Sequence, residues 1–164
     1  MMERLSEAVR ESHALGSPIS VMFIDLDNFK RFNDAFGHRT GDQVLFAIGR
    51  FLERQLPGGS YVARYGGEEF VAILPDFTVD NTVRAAESIR AQLALAPLDI
   101  APRERFPVTV SVGVAGIDSA FSPIATAEEL LDAADQAMYE AKRRGRNRVV
   151  RWAPALRGST PPRR

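Results

Sequence analysis

Arg64-Tyr65-Gly66-Gly67-Glu68-Glu69-Phe70 lies between two short runs, the apolar-leaning Tyr61 to Tyr65 and the clearly apolar Phe70 to Leu74. Two glycines between strand-like runs predict a hairpin turn, because glycine accepts the positive φ that tight hairpin turns require. A turn by itself has no need of adjacent acids beside the glycines, nor of a bulky aromatic after them. Two readings stand at this point. One is a solvated turn with surface acids; the other is a pair of carboxylates at a hairpin tip, placed to hold a metal ion near a phosphorylated ligand.

Composition narrows the field. At 164 residues the chain is long enough for one domain with its own core. Apolar residues make up 45% and charged residues 26%, ordinary for a globular protein, and the formal net charge is zero. That balance argues against bulk electrostatic binding to nucleic acid or membrane. Cysteine is absent, which excludes disulfides and thiolate metal sites and fits a reducing, cytoplasmic setting. No apolar run approaches the roughly 20 residues of a membrane span, and no signal peptide is visible. Only two of the 21 basic residues are lysines, Lys30 and Lys142.

Taken in order, Met1 to Gly16 has apolar residues at helical spacing and is stopped by Gly16-Ser17-Pro18. Ile19 to Ile24 reads as a short buried strand ending in Asp25-Leu26-Asp27. Alternation along a strand puts Asp25 and Asp27 on one face and Leu26 on the other. Asn28 to Phe36 predicts a short helix whose stripe, Phe29, Phe32 and Phe36, reads as core. Gly37 to Asp42 reads as a loop, and Gln43 to Leu56 as an amphipathic helix. After the hairpin, Thr78 to Ala96 predicts another helix and Pro97 to Arg105 a loop. Phe106 to Ile117 alternates with period two, as a strand does. Thr126-Ala127-Glu128-Glu129 is a capping box opening a helix that ends at Gly145, and Arg146 to Trp152 returns as a strand. Ala153 to Arg164, with three prolines, reads as a disordered tail. Helices alternating with strands around one hairpin predict a mixed sheet covered by helices, in one domain over residues 1–152.

Several pieces, in order, resemble the GGDEF family of diguanylate cyclases. They are Asp25-Leu26-Asp27-Asn28-Phe29-Lys30, Asn33-Asp34, Gly37-His38, Gly41-Asp42 and Gly66-Gly67-Glu68-Glu69-Phe70. Further on come Ser111-Val112-Gly113-Val114-Ala115, Ala134-Asp135-Gln136-Ala137-Met138-Tyr139, Ala141-Lys142 and Gly145-Arg146-Asn147. The resemblance covers about residues 5 to 150. It implies an α+β (mixed α/β) fold, a palm-like central mixed β-sheet surrounded by helices, similar to adenylate cyclase catalytic domains.

The resemblance also implies a reaction: two GTP condense to cyclic di-GMP and two pyrophosphates, each 3′-hydroxyl attacking an α-phosphate. It assigns Asp25, Glu68 and the Leu26 carbonyl to Mg²⁺ (or Mn²⁺), a hard ion that prefers oxygen ligands. Glu69 belongs to the catalytic centre, as metal ligand or base. Asp27 shares the face of Asp25 and is expected either beside it or as an orienter of the loop. Lys30, Lys142 and Arg146 match phosphate-binding positions, and Phe29 and Lys30 offer backbone N–H groups. Asn33 and Asp42 match the positions that read guanine. From the residues alone, Asp42 would be a helix N-cap, Asn33 a surface residue, and His38 a structural loop residue.

One site holds one GTP, so catalysis implies a homodimer with the two sites apposed. Family members commonly carry a sensory or receiver domain that controls pairing. The chain shows none, so it is expected to be a catalytic domain separated from such a partner or a protein that dimerises by itself. Two departures stand out. The Arg-x-x-Asp product site is replaced by Pro57 and Ser60, so feedback inhibition there is expected to be absent. The customary Asp-x-Leu-Thr-Gly-Leu-x-Asn-Arg opening is missing, which leaves N-terminal packing open. A competing reading is a non-catalytic GTP-binding regulatory module, against which stand the retained Asp25, Glu68 and Glu69. A cyclase for another nucleotide is opposed by Asn33 and Asp42.

Overall fold

Gly16, at φ 65°, closes helix α1 (Met2–Leu15) and turns the chain into the central strand β1 (Ile19–Leu26). The computed structural model describes residues 1–95, 98–101, 104–106, 108–118 and 122–156. After β1 come α2 (Phe29–Phe36), α3 (His38–Gln55), the hairpin β2 (Tyr61–Gly66) and β3 (Glu69–Pro75), and α4 (Val79–Leu95). A short pair, β4 (Leu98–Ala101) and β5 (Glu104–Phe106), precedes β6 (Val110–Ile117), α5 (Ala127–Arg143) and β7 (Arg148–Arg151).

The main sheet has the order β2-β3-β1-β6-β7. Its first three pairings are antiparallel, and β6 and β7 are parallel. A parallel neighbour needs a crossover, and α5 supplies it. The result is the mixed, helix-covered sheet expected from the sequence.

Side-chain parity along β1 builds two cores. Ile19, Val21 and Phe23 join Leu5 and Val9 of α1 and the apolar face of α5. Met22, Ile24 and Leu26 join Phe29 of α2, Val44, Ile48 and Leu52 of α3, and Ala86, Ile89 and Leu93 of α4. Asp25 therefore falls on the α5 face and Leu26 on the other, as alternation requires. Gly113 of β6 brings α5 close: a Cβ there would collide with the Ala134 carbonyl and the Met138 N–H. One further turn of α5 reaches Lys142, and two residues of β6 reach Ser111, which lies opposite Asp25. A helix turn and two strand residues both advance about 5–7 Å, so the packed glycine sets Lys142 over the strand end.

The Thr126 box forms as predicted: the Glu129 N–H donates to Thr126 Oγ1 at 3.1 Å, and the Glu129 carboxylate accepts from the Thr126 N–H. The N-terminus packs, with Leu5 fully buried. Trp152 is buried against α5, where its indole N–H donates to Gln136 Oε1 at 3.1 Å.

Four sequence expectations are corrected. Helix α3 starts at His38, not Gln43, so Asp42 lies within the helix instead of capping it. Gly41 misled here: it reads as a turn signal, but a Cβ would collide with the Asn33 side chain and press on Phe29, so it serves close packing of α3 on α2. The expected loop from Pro97 carries β4 and β5, too short to show a period. Phe36 is 52% exposed, because the eight-residue α2 docks through Phe29 at its start. Its ring rests on Phe32 and Phe106 at 4.9 and 4.8 Å between centroids. In the expected tail, Pro154–Leu156 forms a 3-10 turn with Leu156 packed on the core, and residues 157–164 lie outside the described residues.

Candidate active site

Asp25, the penultimate residue of β1, has Glu69 of β3 opposite on one side and Ser111 of β6 opposite on the other. Gly66 pairs with Glu69 to close the hairpin, leaving Gly67 and Glu68 at its tip, and Gly67 takes φ 47° as the turn demands. The Leu26 N–H donates to the Glu68 carbonyl at 3.3 Å, joining the tip to the end of β1. From β2, Arg64 Nε donates to the Gly67 carbonyl at 2.9 Å and fixes the tip from its other side. Strand register and turn length thus gather Asp25, Leu26, Glu68 and Glu69 at one corner of the sheet.

The electrostatics follow from burial. Asp25 is only 2% exposed, and desolvation pushes its carboxyl up to about 6, with the Glu68 and Glu69 carboxylates acting in the same direction. Lys142 opposes this, its ammonium 2.6 Å from Asp25 Oδ2. One lysine of α5 therefore meets the acid of β1, while two more carboxylates crowd the same corner.

Hard oxygen donors at this corner fit a divalent cation such as Mg²⁺, which keeps several non-protein ligands and takes one or two carboxylates. Among the described residues no group of three or more His, Cys, Asp or Glu side chains would hold a metal unaided. Asp25, Glu68 and the Leu26 carbonyl are the oxygen donors that could serve such an ion here, fewer than would fill its shell. His38 belongs to no such group.

Asp27 sits on the same face but its oxygens are used within the protein. Oδ1 accepts from Ser111 Oγ at 2.6 Å, and Oδ2 accepts from Thr109 Oγ1 at 2.8 Å and from the Asn147 N–H at 2.9 Å. Of its two expected roles, orienting the neighbouring loop is the one the geometry shows. That loop, Gly145-Arg146-Asn147, leaves α5 with φ of 112°, 65° and 43°. Arg146 is exposed at its apex. Left-handed backbone costs a residue with a Cβ about 1–2 kcal/mol, so the loop is held rather than relaxed.

The expected base-reading pair lies on α2 and α3. Asn33 Oδ1 is buried without a hydrogen-bond partner, while Asp42 is exposed. An orphaned buried carbonyl is costly unless a ligand satisfies it. A cavity of about 560 Å³ opens beside Asp42, bounded by Leu45, Phe46 and Arg50 of α3 and by Arg64 and Phe70 of the hairpin. At the start of α2, Lys30 is exposed and Phe29 is buried, which leaves Phe29 its backbone N–H to offer.

Three contributors escaped the sequence reading. Arg64 was part of the quoted stretch, yet its role needs the turn geometry. Asn147 was matched without a role. Arg90 of α4, which donates to Asn147 Oδ1 at 3.0 Å, carries no signal in an ordinary amphipathic helix.

Known proteins share the family and the fold of this chain. The family described as "Diguanylate cyclase, GGDEF domain" matches residues 1–148. Diguanylate cyclase DosC of Escherichia coli K12 is 38% identical over 148 residues, covering 90% of this chain and 31% of DosC. The chain thus spans about a third of the length of the curated relatives it matches. Among solved structures, the active GGEEF domain of a diguanylate cyclase from Vibrio cholerae aligns with TM-score 0.84 at 30% identity, covering 92% of this chain and 93% of that one. The GGDEF domain of DgcB from Caulobacter crescentus, in complex with c-di-GMP, aligns with TM-score 0.81 at 35% identity, covering 91% and 86%.

Proposed function

The chain belongs to the GGDEF family of diguanylate cyclase domains, and from that membership we propose that it condenses two GTP into cyclic di-GMP and two pyrophosphates. The observation that carries the reading is the register that sets Asp25 opposite Glu69 with Glu68 tied to Leu26 beside them.

In each half-reaction the 3′-oxygen of one GTP bonds to the α-phosphorus of the other. The bond from that phosphorus to the bridging oxygen breaks, and pyrophosphate leaves. Asp25, Glu68 and the Leu26 carbonyl would hold Mg²⁺, or Mn²⁺ in its place. Such an ion would supply a lowered pKa for the attacking hydroxyl and charge to offset the leaving pyrophosphate. Lys142 and Arg146, at the end of α5, and Lys30, with the N–H groups at the start of α2, bind the triphosphate. Lysine acts as a point charge and arginine as a bidentate fork. Asn33 and Asp42 read the base: a carboxylate accepts from the N1–H and amine of guanine, and adenine leaves it unpaired. Glu69, opposite Asp25, completes the charge of the centre.

Each site holds one nucleotide, so the reaction runs across a homodimer about a two-fold axis. Pro57 and Ser60 offer no ligands for product, so accumulated cyclic di-GMP does not inhibit through that site.

The test incubates the chain at high concentration, and separately as a leucine-zipper fusion, with GTP and Mg²⁺. Cyclic di-GMP and pyrophosphate are the expected products, formed faster by the fusion. A fusion that binds GTP yet forms no product would overturn the cyclase reading in favour of a GTP-binding module.

A further inference from the structure

The loop that presents Arg146 is held at Asn147 from two sides. Its first part belongs to the ending of α5: the Gly145 N–H donates to the Lys142 carbonyl and the Arg146 N–H to the Ala141 carbonyl, the paired closure that follows many helices. Arg146 and Asn147 lie at and beyond that closure, both with positive φ and both with a Cβ. Such backbone persists only where its surroundings over-determine it. Asp27, anchored by Ser111 of β6 and by Thr109 just before that strand, takes the Asn147 N–H. Arg90, reaching from α4, donates through Nη1 to Asn147 Oδ1 at 3.0 Å. Arg90 is aligned in turn by Glu87, which receives its Nε at 2.7 Å.

We propose that Arg90 is a positioning residue for nucleotide binding: through Asn147 it fixes the left-handed loop that offers Arg146 to the triphosphate. The proposal rests on the assignment of Arg146 to phosphate made above. Arginine suits the place because its rigid fork serves Glu87 and Asn147 at once, which a lysine ammonium on a flexible stem does not. Neither partner of Arg90 is a site carboxylate, so its influence on the site runs through the loop. The cost of losing it falls on the order of Arg146, and hence on ground-state affinity for the phosphates more than on the chemical step.

The test is a double-mutant cycle read by calorimetric binding of a GTP analogue whose α–β bridging oxygen is replaced by methylene. Arg90→Ala is expected to weaken binding roughly three- to tenfold, the range for losing one ordinary hydrogen bond, because this one is exposed and acts through the loop. Asn147→Gly, which accepts the positive φ and removes the side-chain acceptor of Arg90, is expected to lose affinity in the same direction. Arg90→Lys is expected to recover part of the loss. In the Arg146→Ala background, Arg90→Ala is expected to add nothing, because both changes remove one interaction. Unchanged affinity in Arg90→Ala overturns the proposal, as do losses that multiply in the double variant. If Arg146→Ala binds the analogue as tightly as the parent, the phosphate assignment itself fails, and the proposal falls with it.

Discussion

Lys142 Nζ lies 2.6 Å from Asp25 Oδ2, and this contact joins the last turn of α5 to the end of the central strand. It places a cation under a carboxylate that is buried and flanked by Glu68 and Glu69. The pair does not remove the desolvation penalty, since the Asp25 carboxyl still stands at about 6 against an ordinary 3.8. The site is therefore bought with stability, as centres that concentrate like charge commonly are.

The sign of the pH dependence follows. Below the ordinary carboxyl pKa, Asp25 is protonated in both folded and unfolded chains and contributes nothing. Between there and its folded value of about 6 the unfolded chain ionises first, so stability falls, and above it the loss stays constant. Asp25→Asn is expected to be more stable than the parent by about 1–3 kcal/mol at about pH 8, with the gain vanishing near pH 4. Urea unfolding at both pH values in metal-free buffer checks this. A variant less stable at the higher pH would refute it.

Glu68→Gln keeps the size of the tip residue and removes its charge. Turnover is expected to fall at least about a hundredfold through loss of the metal carboxylate. Stability is expected to change by no more than about 0.5 kcal/mol, because the residue is half-buried at a turn. Product formation at saturating GTP reads the first quantity and thermal unfolding the second. Retained turnover would remove Glu68 from the metal site.

Asp42→Ser tests base choice. The preference for GTP over ATP is expected to narrow by at least roughly tenfold, since the acceptor that pairs with the guanine N1–H and amine, and that adenine leaves unpaired, is removed. Competition between the two nucleotides for binding measures it. Equal discrimination by variant and parent would place guanine recognition elsewhere.

Gly41→Ala inserts a methyl group where the Asn33 side chain already lies, with Phe29 behind it. Overpacking of this kind costs about 1–3 kcal/mol. The same substitution moves Asn33, so affinity for GTP is expected to drop with stability. A variant of parental stability would mean that α2 and α3 part easily.

Much of the architecture was legible from the sequence. The carboxylates Asp25 and Glu68 stood out because acids at a strand end and a glycine turn break an otherwise apolar pattern. The capping box at Thr126 and the stop at Gly145 are local and were read correctly. What failed was non-local. Gly41 serves helix packing and was mistaken for punctuation. Phe36 matched the periodicity of a core stripe on a helix too short to bury it. Arg90 looks like any solvated arginine until α4 is folded beside the end of α5. Side chains that act through the fold leave no trace in spacing.

The single tryptophan, Trp152, is seated against Gln136 of α5. Its indole is buried only while α5 lies on the sheet, the same docking that carries Lys142 to Asp25. Intrinsic fluorescence is then a native optical gauge of the assembled centre. Excitation of the indole follows α5 during titration or denaturation without a label, and a red-shifted emission signals a sheet from which the helix has lifted.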